Sequence, residues 1–198
     1  KVVEITLSDT TNRLVIPRDI TQLMEKKKSS VYGIRMVDIN KMQIANLIAQ
    51  NIAIIHHVGV YRAIDGTLCI RIEQREPLLR VINKHQQGFY IDKEGFLFPL
   101  SSHFSARVLA ATGDISERGF KNKAVQIDSL YTNVSSSKFT LRELFTLAEY
   151  INNDEFLKAQ IEQIYVNDNE YEMIPKVGSH IIYFGTFDNY VNKFFNLK

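Results

Sequence analysis

Val3, Ile5 and Leu7 alternate with polar residues, the period-two signature of a strand with one buried face. Asp9-Thr10-Thr11-Asn12 is a turn cluster. Pro17 suits a first helical position and Asp19 a first turn, with Ile20, Leu23 and Met24 as the apolar stripe of the helix they open. Lys26-Lys27-Lys28 suits its C-terminal end through the helix dipole. Residues 29–33 read as loop. Asp38 is the expected N-cap of a second helix, with Ile44, Leu47 and Ile48 on one face and Met42 at its edge. A hairpin follows, and parity selects its loop. A two-residue Asp65-Gly66 turn would set Val60 opposite Arg71. A three-residue Ile64-Asp65-Gly66 loop sets Val60 opposite Ile70 and Val58 opposite Ile72, keeping both apolar sets on one face. It also puts Gly66 at the left-handed bulge position that favours glycine. Arg71, Glu73 and Arg75 then face outward. The order over residues 1–77 is strand, helix, helix, strand, strand.

Pro77 marks a boundary, because it cannot donate to a central ladder. Short strand-like pieces come next: Leu78 to Ile82, Phe89 to Ile91, Phe96 to Phe98 and Arg107 to Ala110, with Asp92-Lys93-Glu94-Gly95 as a turn. Residues 114–126 read as loop or irregular helix. Residues 139–151 form the clearest helix, with Thr140 and Glu143 as a capping box and Leu141, Leu144, Phe145, Ala148 and Ile151 as its stripe. A helical turn at 154–158, strands at 161–166, 171–174 and 180–184, and a last helix capped by Asp188 complete the pattern. The reading is α+β: a β-α-α-β-β unit over 1–77, then a mixed β domain with helices on its sheet over 78–198.

Composition excludes several classes. The 198 residues are 45% hydrophobic and 23% charged, with a net charge of +2. That is ordinary for a globular chain and gives no electrostatic footprint for nucleic acid. Eleven basic and eight acidic residues over 1–78 leave +3, and thirteen against fourteen over 79–198 leave −1, so neither part is polarised. No apolar run approaches the roughly 20 residues that span a bilayer, and there is no signal peptide. One cysteine, Cys69, forbids an internal disulfide and a multi-cysteine zinc site. The chain opens at Lys1 inside a strand and ends at Lys198 inside a helix, so it reads as the soluble part of a longer protein.

Chemistry is hard to find. His56 and His57, adjacent on a strand, point to opposite faces and lack ligand partners at metal spacing. Ser101, Ser102 and His103 are neighbours in sequence, which argues nothing for a triad. Cys69 reads as a packing residue, on the face opposite the apolar set. Asp154-Glu155 and Asp92/Glu94 have structural reasons to sit at a helix start and a turn. There is no glycine-rich phosphate cradle. Asn133-Val134-Ser135 matches the glycosylation sequon, a frequent chance pattern. No catalytic residue, metal or cofactor is expected. A chain of this kind offers a partner its sheet edges.

The stretch from Val58 to Pro77, with its Gln74-Arg75-Glu76-Pro77 end, resembles the end of the POTRA domain of the bacterial FtsQ (DivIB) cell-division family. Phe89-Tyr90-Ile91-Asp92-Lys93-Glu94-Gly95-Phe96-Leu97-Phe98-Pro99-Leu100 is similar to the opening of that family's β domain. Ile174-Pro175-Lys176-Val177-Gly178, Ile182-Tyr183-Phe184-Gly185 and Lys193-Phe194-Phe195-Asn196-Leu197-Lys198 are similar to its last third.

The resemblance implies a non-enzymatic divisome scaffold that links early and late division proteins and influences septal peptidoglycan synthesis. It implies a single N-terminal membrane helix, absent from this chain, in the cytoplasmic (inner) membrane at the septum, with this region in the periplasm. It implies partners of the FtsB and FtsL type and no nucleic acid. In that family an FtsB segment adds as an extra strand to the final strands of the β domain. Those strands are expected beyond Lys198, so their contact residues do not transfer. What remains is the neighbouring strand with His180, Ile182, Tyr183 and Phe184, of which Ile182 and Phe184 read as core. Arg62, Arg71 and Arg75 make the hairpin a candidate face for a separate ligand. An edge left open invites a dimer through that edge. Two other readings compete. A POTRA-bearing outer-membrane assembly or secretion factor would carry serial POTRA units or barrel strands. A periplasmic enzyme would need His57, His103, Asp92 or Ser101 to converge.

Overall fold

A computed structural model describes residues 3–8, 12–27, 35, 38–118, 123–131 and 140–198. They form two compact units. The first holds the described residues up to Arg75 together with the later segment Ser101–Ala106; the second holds Glu76–Leu100 and nearly all that follows Arg107.

In the first unit, β1 (Val3–Leu7), α1 (Pro17–Lys26), α2 (Lys41–Asn51), β2 (Ile55–Arg62) and β3 (Leu68–Gln74) build a sheet of order β1-β3-β2. β1 runs parallel to β3, and β2 pairs with it antiparallel. Val58 faces Ile72 and Val60 faces Ile70, and Gly66 has φ 84°, as the three-residue loop requires. One sheet face buries Leu68, Ile70 and Ile72 against Ile20 and Met24 of α1 and Ile44 and Ile48 of α2. Pro17 opens α1, and Asp19 accepts the Ile16 N–H at 2.9 Å. The second helix is capped by Asn40, not Asp38: its side chain accepts the Gln43 N–H at 3.0 Å, while Asp38 pairs with Arg35. Buried Gln74 bridges the unit, accepting the Val15 N–H and donating to the Asn12 carbonyl, each at 2.8 Å.

The second unit is built on a sheet of order β11-β10-β9-β7-β4-β5-β6-β8. Its strands are β4 (Pro77–Ile82), β5 (Gly88–Asp92), β6 (Phe96–Pro99), β7 (Leu109–Gly113), β8 (Val125–Gln126), β9 (Ile161–Asn167), β10 (Glu170–Pro175) and β11 (Ile182–Gly185). Pro77 is tolerated as the first residue of β4. Three helices, α3 (Thr140–Asn152), α4 (Glu155–Gln160) and α5 (Tyr190–Leu197), cover one face. Their Leu141, Leu144, Leu147, Ile151, Leu157 and Phe194 pack with Leu79, Val81, Ile164, Val166, Met173 and Phe184 of the sheet in one core.

Several elements differ from the sequence reading. β7 begins two residues later than expected and runs on to Gly113, drawn by parallel pairing with β9. Gly113 has φ 105°, and a Cβ there would lie 2.1 Å from the Val166 carbonyl oxygen. Val125 and Gln126, at the end of the stretch read as loop or irregular helix, form β8, which pairs with β6, and a 3-10 helix spans Ile127–Tyr131. Glu143 does not serve a capping box with Thr140; its carboxylate accepts the Tyr171 hydroxyl at 2.5 Å. The last helix is preceded by Asn189 at φ 55° instead of a capping Asp188. The sequon at 133–135, Lys28 and the loop at 29–33 lie outside the described residues.

Candidate functional site

β11 is the edge strand of the larger sheet, paired on one side with β10. It begins at Ile182 rather than His180, because pairing starts at Met173 opposite Ile182. His180 is exposed just before it. Along the strand, side chains alternate between two surfaces. Phe184 is buried on the helical side, 4.8 Å from the Phe194 ring centroid, and Ile182 packs partly buried against the same core. Tyr183 points the other way and is 80% exposed.

The helical side of the edge is rigidly backed. Phe194 stacks on Tyr150 of α3 at 4.7 Å and 10°, and Tyr190 meets Tyr150 edge-on at 5.8 Å. Lys193 lies over the Phe184 ring at 5.3 Å and donates to the Thr186 carbonyl at 2.5 Å. Lys198 pairs with Asp154, the N-cap of α4. That ammonium, and then the Leu157 N–H, holds the Asp154 carboxyl below its ordinary range. Beneath the helices, burial and then the Glu143 hydrogen bond push the Tyr171 phenol well above its ordinary value; burial and Glu117 do the same to Tyr131.

Among the described residues, exposed large apolar and aromatic side chains are most frequent after residue 155. Phe156, Tyr165, Val177, Ile181, Tyr183, Val191 and Phe195 all follow residue 155, against Met42, Tyr61 and Ile64 earlier in the chain. Phe195 is 76% exposed, one helical turn from half-exposed Val191 on α5. The sequence pattern sets Val191, Phe194 and Phe195 on one apolar face of the last helix, of which only Phe194 is buried, and it does not single out Tyr165. Tyr165 could have been found: it sits out of phase between Ile164 and Val166, both buried.

The arginines do not form one face. Arg62 pairs with Leu68, so it falls on the face of Val58 and Val60, whereas Arg71 lies opposite Gly59 on the other face. Arg75 follows β3, its N–H bonded to the Ile54 carbonyl at 2.9 Å.

The residues an enzyme would need are engaged separately. Asp92 accepts the Glu94 and Phe96 N–H groups in its turn. Ser101 donates to the Leu14 carbonyl at 2.5 Å, while the His103 ring meets Asp19 at 3.0 Å. The serine proton is thus directed at backbone, not at imidazole, and that wiring activates no nucleophile. His57 faces Glu73 across the smaller sheet; a bulge at His56 leaves both histidines exposed. Among the described residues no three His, Cys, Asp or Glu are grouped to hold a metal ion, and no helix is long and apolar enough to cross a membrane.

Two family models match. One, described as FtsQ/DivIB, C-terminal related, covers residues 76–198, and a POTRA-like domain model covers residues 1–73. No curated protein matches the chain.

Proposed function

We propose, from the premise that the chain belongs to the FtsQ/DivIB family, that it is a divisome scaffold that takes up a partner's strand at the β11 end of its larger sheet. Proteins of this family are division-site, membrane-anchored scaffolds rather than enzymes. On this reading, residues 1–77 act as the membrane-proximal POTRA-like domain and residues 78–198 as the β domain. An N-terminal single-pass helix in the cytoplasmic membrane holds both in the periplasm at the septum. The partners are of the FtsB and FtsL type, and through them the scaffold connects early division proteins to septal peptidoglycan synthesis.

One observation carries the reading. β11 is the last strand of its sheet among the described residues, and it combines a wall fixed by buried Phe184 and Phe194 with an exposed tyrosine. Strand addition needs that combination: main-chain groups supply affinity, and alternate side chains supply specificity. A second copy of the chain could use the same edge, giving a dimer that competes with the partner.

The test is a calorimetric titration of the extracytoplasmic FtsB–FtsL-type pair of the same organism into the chain. Tyr183→Pro removes one N–H of β11, a strand at the sheet's end, where proline is better tolerated than in a central strand. It should abolish binding while the melting temperature holds. Native affinity in Y183P, or loss of binding on Arg71→Glu in the smaller sheet, would overturn the assignment.

A further inference from the structure

The strand directions of the first unit set its two ends apart. β3 runs from Leu68 to Gln74, and β1, parallel to it, is entered at Val3 beside Leu68. β2 returns antiparallel and finishes with Arg62 opposite Leu68. The loop 63–67 therefore projects beyond the same end at which β1 is entered.

Both helices bring charge towards that end. α1 starts at the opposite end, where Gln74 bonds the Val15 N–H and the Asn12 carbonyl. Ile20 and Met24 lay it over the sheet, so its last residues, Lys26 and Lys27, lie towards the Leu68 end. α2 finishes shortly before Ile55, which faces Gln74, and packs back along β2. Its eleven residues cover about 16 Å, the length of about five strand residues. Lys41, its first residue, is then level with Val60, close behind Arg62.

The tip itself is apolar and built. Ile64 is fully exposed at its apex. The Ala63 N–H donates to the Thr67 carbonyl at 2.9 Å, and the Gly66 N–H to the Ala63 carbonyl at 3.1 Å. Asp65 accepts the Thr67 N–H at 2.9 Å and the Thr67 hydroxyl at 3.0 Å. The loop thus satisfies much of its own polar backbone, as a segment entering a lipid interface must. Behind the apex, Tyr61 is half-exposed on the open face of the sheet and Arg62 is exposed on the helical face. Lys26, Lys27 and Lys41 are exposed too. Of the carboxylates on this side, Asp65 is turned back on Thr67 and Asp38 pairs with Arg35, while Glu4 and Glu25 stand exposed behind the tip. One exposed isoleucine is common on any surface. An apolar apex, then a tyrosine, then cations follow the layers of a bilayer from acyl chain through interface to phosphate.

We infer that the Ile64 hairpin tip, backed by Tyr61, Arg62, Lys41, Lys26 and Lys27, docks in the membrane interface on anionic phospholipid. The inference rests on the reading of an N-terminal membrane helix: such a helix enters this unit ahead of β1 and brings the bilayer to this end. The tip gives the anchored scaffold a second footing and so fixes the tilt of its first unit. A protein partner is the poorer occupant, because one isoleucine on a two-strand tip offers far less than the roughly 800 Å² per side of a specific interface. A bilayer takes up single apolar side chains and cations one at a time.

The chain contains no tryptophan, so Ile64→Trp puts a single reporter at the apex and His57→Trp one near the other end of β2. The full chain is tethered through an N-terminal tag to vesicles of phosphatidylethanolamine and phosphatidylglycerol. Emission of I64W should shift to the blue and lose at least about half its intensity to lipid brominated about 5–10 Å deep, whereas H57W should stay unquenched. Without the tether, Ile64→Ser should weaken adsorption to the same vesicles about five- to tenfold at an unchanged melting temperature, the scale of partly burying one such side chain. Lys41→Glu should weaken it about fivefold on these vesicles and little on phosphatidylcholine alone.

Unquenched I64W, or native adsorption by I64S, would overturn the footing; calorimetric binding of the FtsB–FtsL-type pair by the same variants would show the scaffold still standing. An I64W emission that responds to the pair in solution and not to vesicles would make the tip a protein contact and overturn the lipid assignment. Release of the full-length protein from membranes by alkaline carbonate would overturn the anchor, and the inference with it.

Discussion

Phe194→Ala removes the anchor on which the backing of β11 depends. Phe194 is fully buried, stacked on Tyr150 at 4.7 Å and tilted against Phe184 at 4.8 Å. α5 has eight residues, too few to persist as a helix without tertiary packing. Truncating a buried phenylalanine to alanine costs about 3–5 kcal/mol, and the lost ring pairs add to the area term. The cost is capped by the docking free energy of α5: beyond that, the helix detaches and the rest of the sheet stays folded. The expected loss is therefore about 3 kcal/mol, or a melting shift of roughly 12 °C for a unit of this size. Hydrogen exchange should locate it. Amides of α5 and β11 should exchange far faster in F194A, while those of β4 and β9 change little. The variant should also bind its partner more weakly, because the wall behind the strand is gone. A loss under about 1 kcal/mol with unchanged exchange in α5 would refute the reasoning.

Gly113→Ala should fail to fold or melt far lower, since the left-handed backbone and a 2.1 Å clash with the Val166 carbonyl coincide; thermal unfolding checks it. Gln74→Leu should cost about 2–3 kcal/mol in denaturant unfolding, because it strands the buried Val15 N–H and the Asn12 carbonyl. Tyr131 and Tyr171 should resist ionisation in an absorbance titration carried through pH 10.0, the ordinary phenol value. Both phenols are raised in the folded state, so the stability they contribute is complete below that pH and is lost as pH rises towards their folded values. Ionisation of Tyr131 and Tyr171 at the ordinary phenol value in the folded chain would count against the buried phenol–carboxylate pairs.

The first unit was largely legible because its signals are local. Alternation in β1 and β3, Pro17 at the start of α1 and parity across the Gly66 loop each depend on few residues, and the observed register follows them. Asp38 misled because two capping residues stand two apart, and only the trajectory into α2 selects Asn40. In the second unit, what was missed is non-local. Parallel pairing of β7 with β9 crosses α3 and α4, so the shift of β7 to Gly113 leaves no mark in its own composition. Glu143 looked like a cap partner because its spacing from Thr140 is right, yet a buried tyrosine 28 residues later claims it. The edge status of β11 is a property of the whole sheet order. Its residues were legible as alternating, but Tyr165 and Glu172 join Tyr183 only through the register of three strands. Arg62 and Arg71, by contrast, were separable by the same parity that set the hairpin.

Hydrogen exchange of the chain, with and without a saturating FtsB–FtsL-type pair, tests strand addition most directly. Pairing at the edge predicts new protection at amides of Ile182 to Gly185, with weaker effects on α5 and none on β2. Protection confined to the first unit, with β11 exchanging as in the free chain, would contradict it.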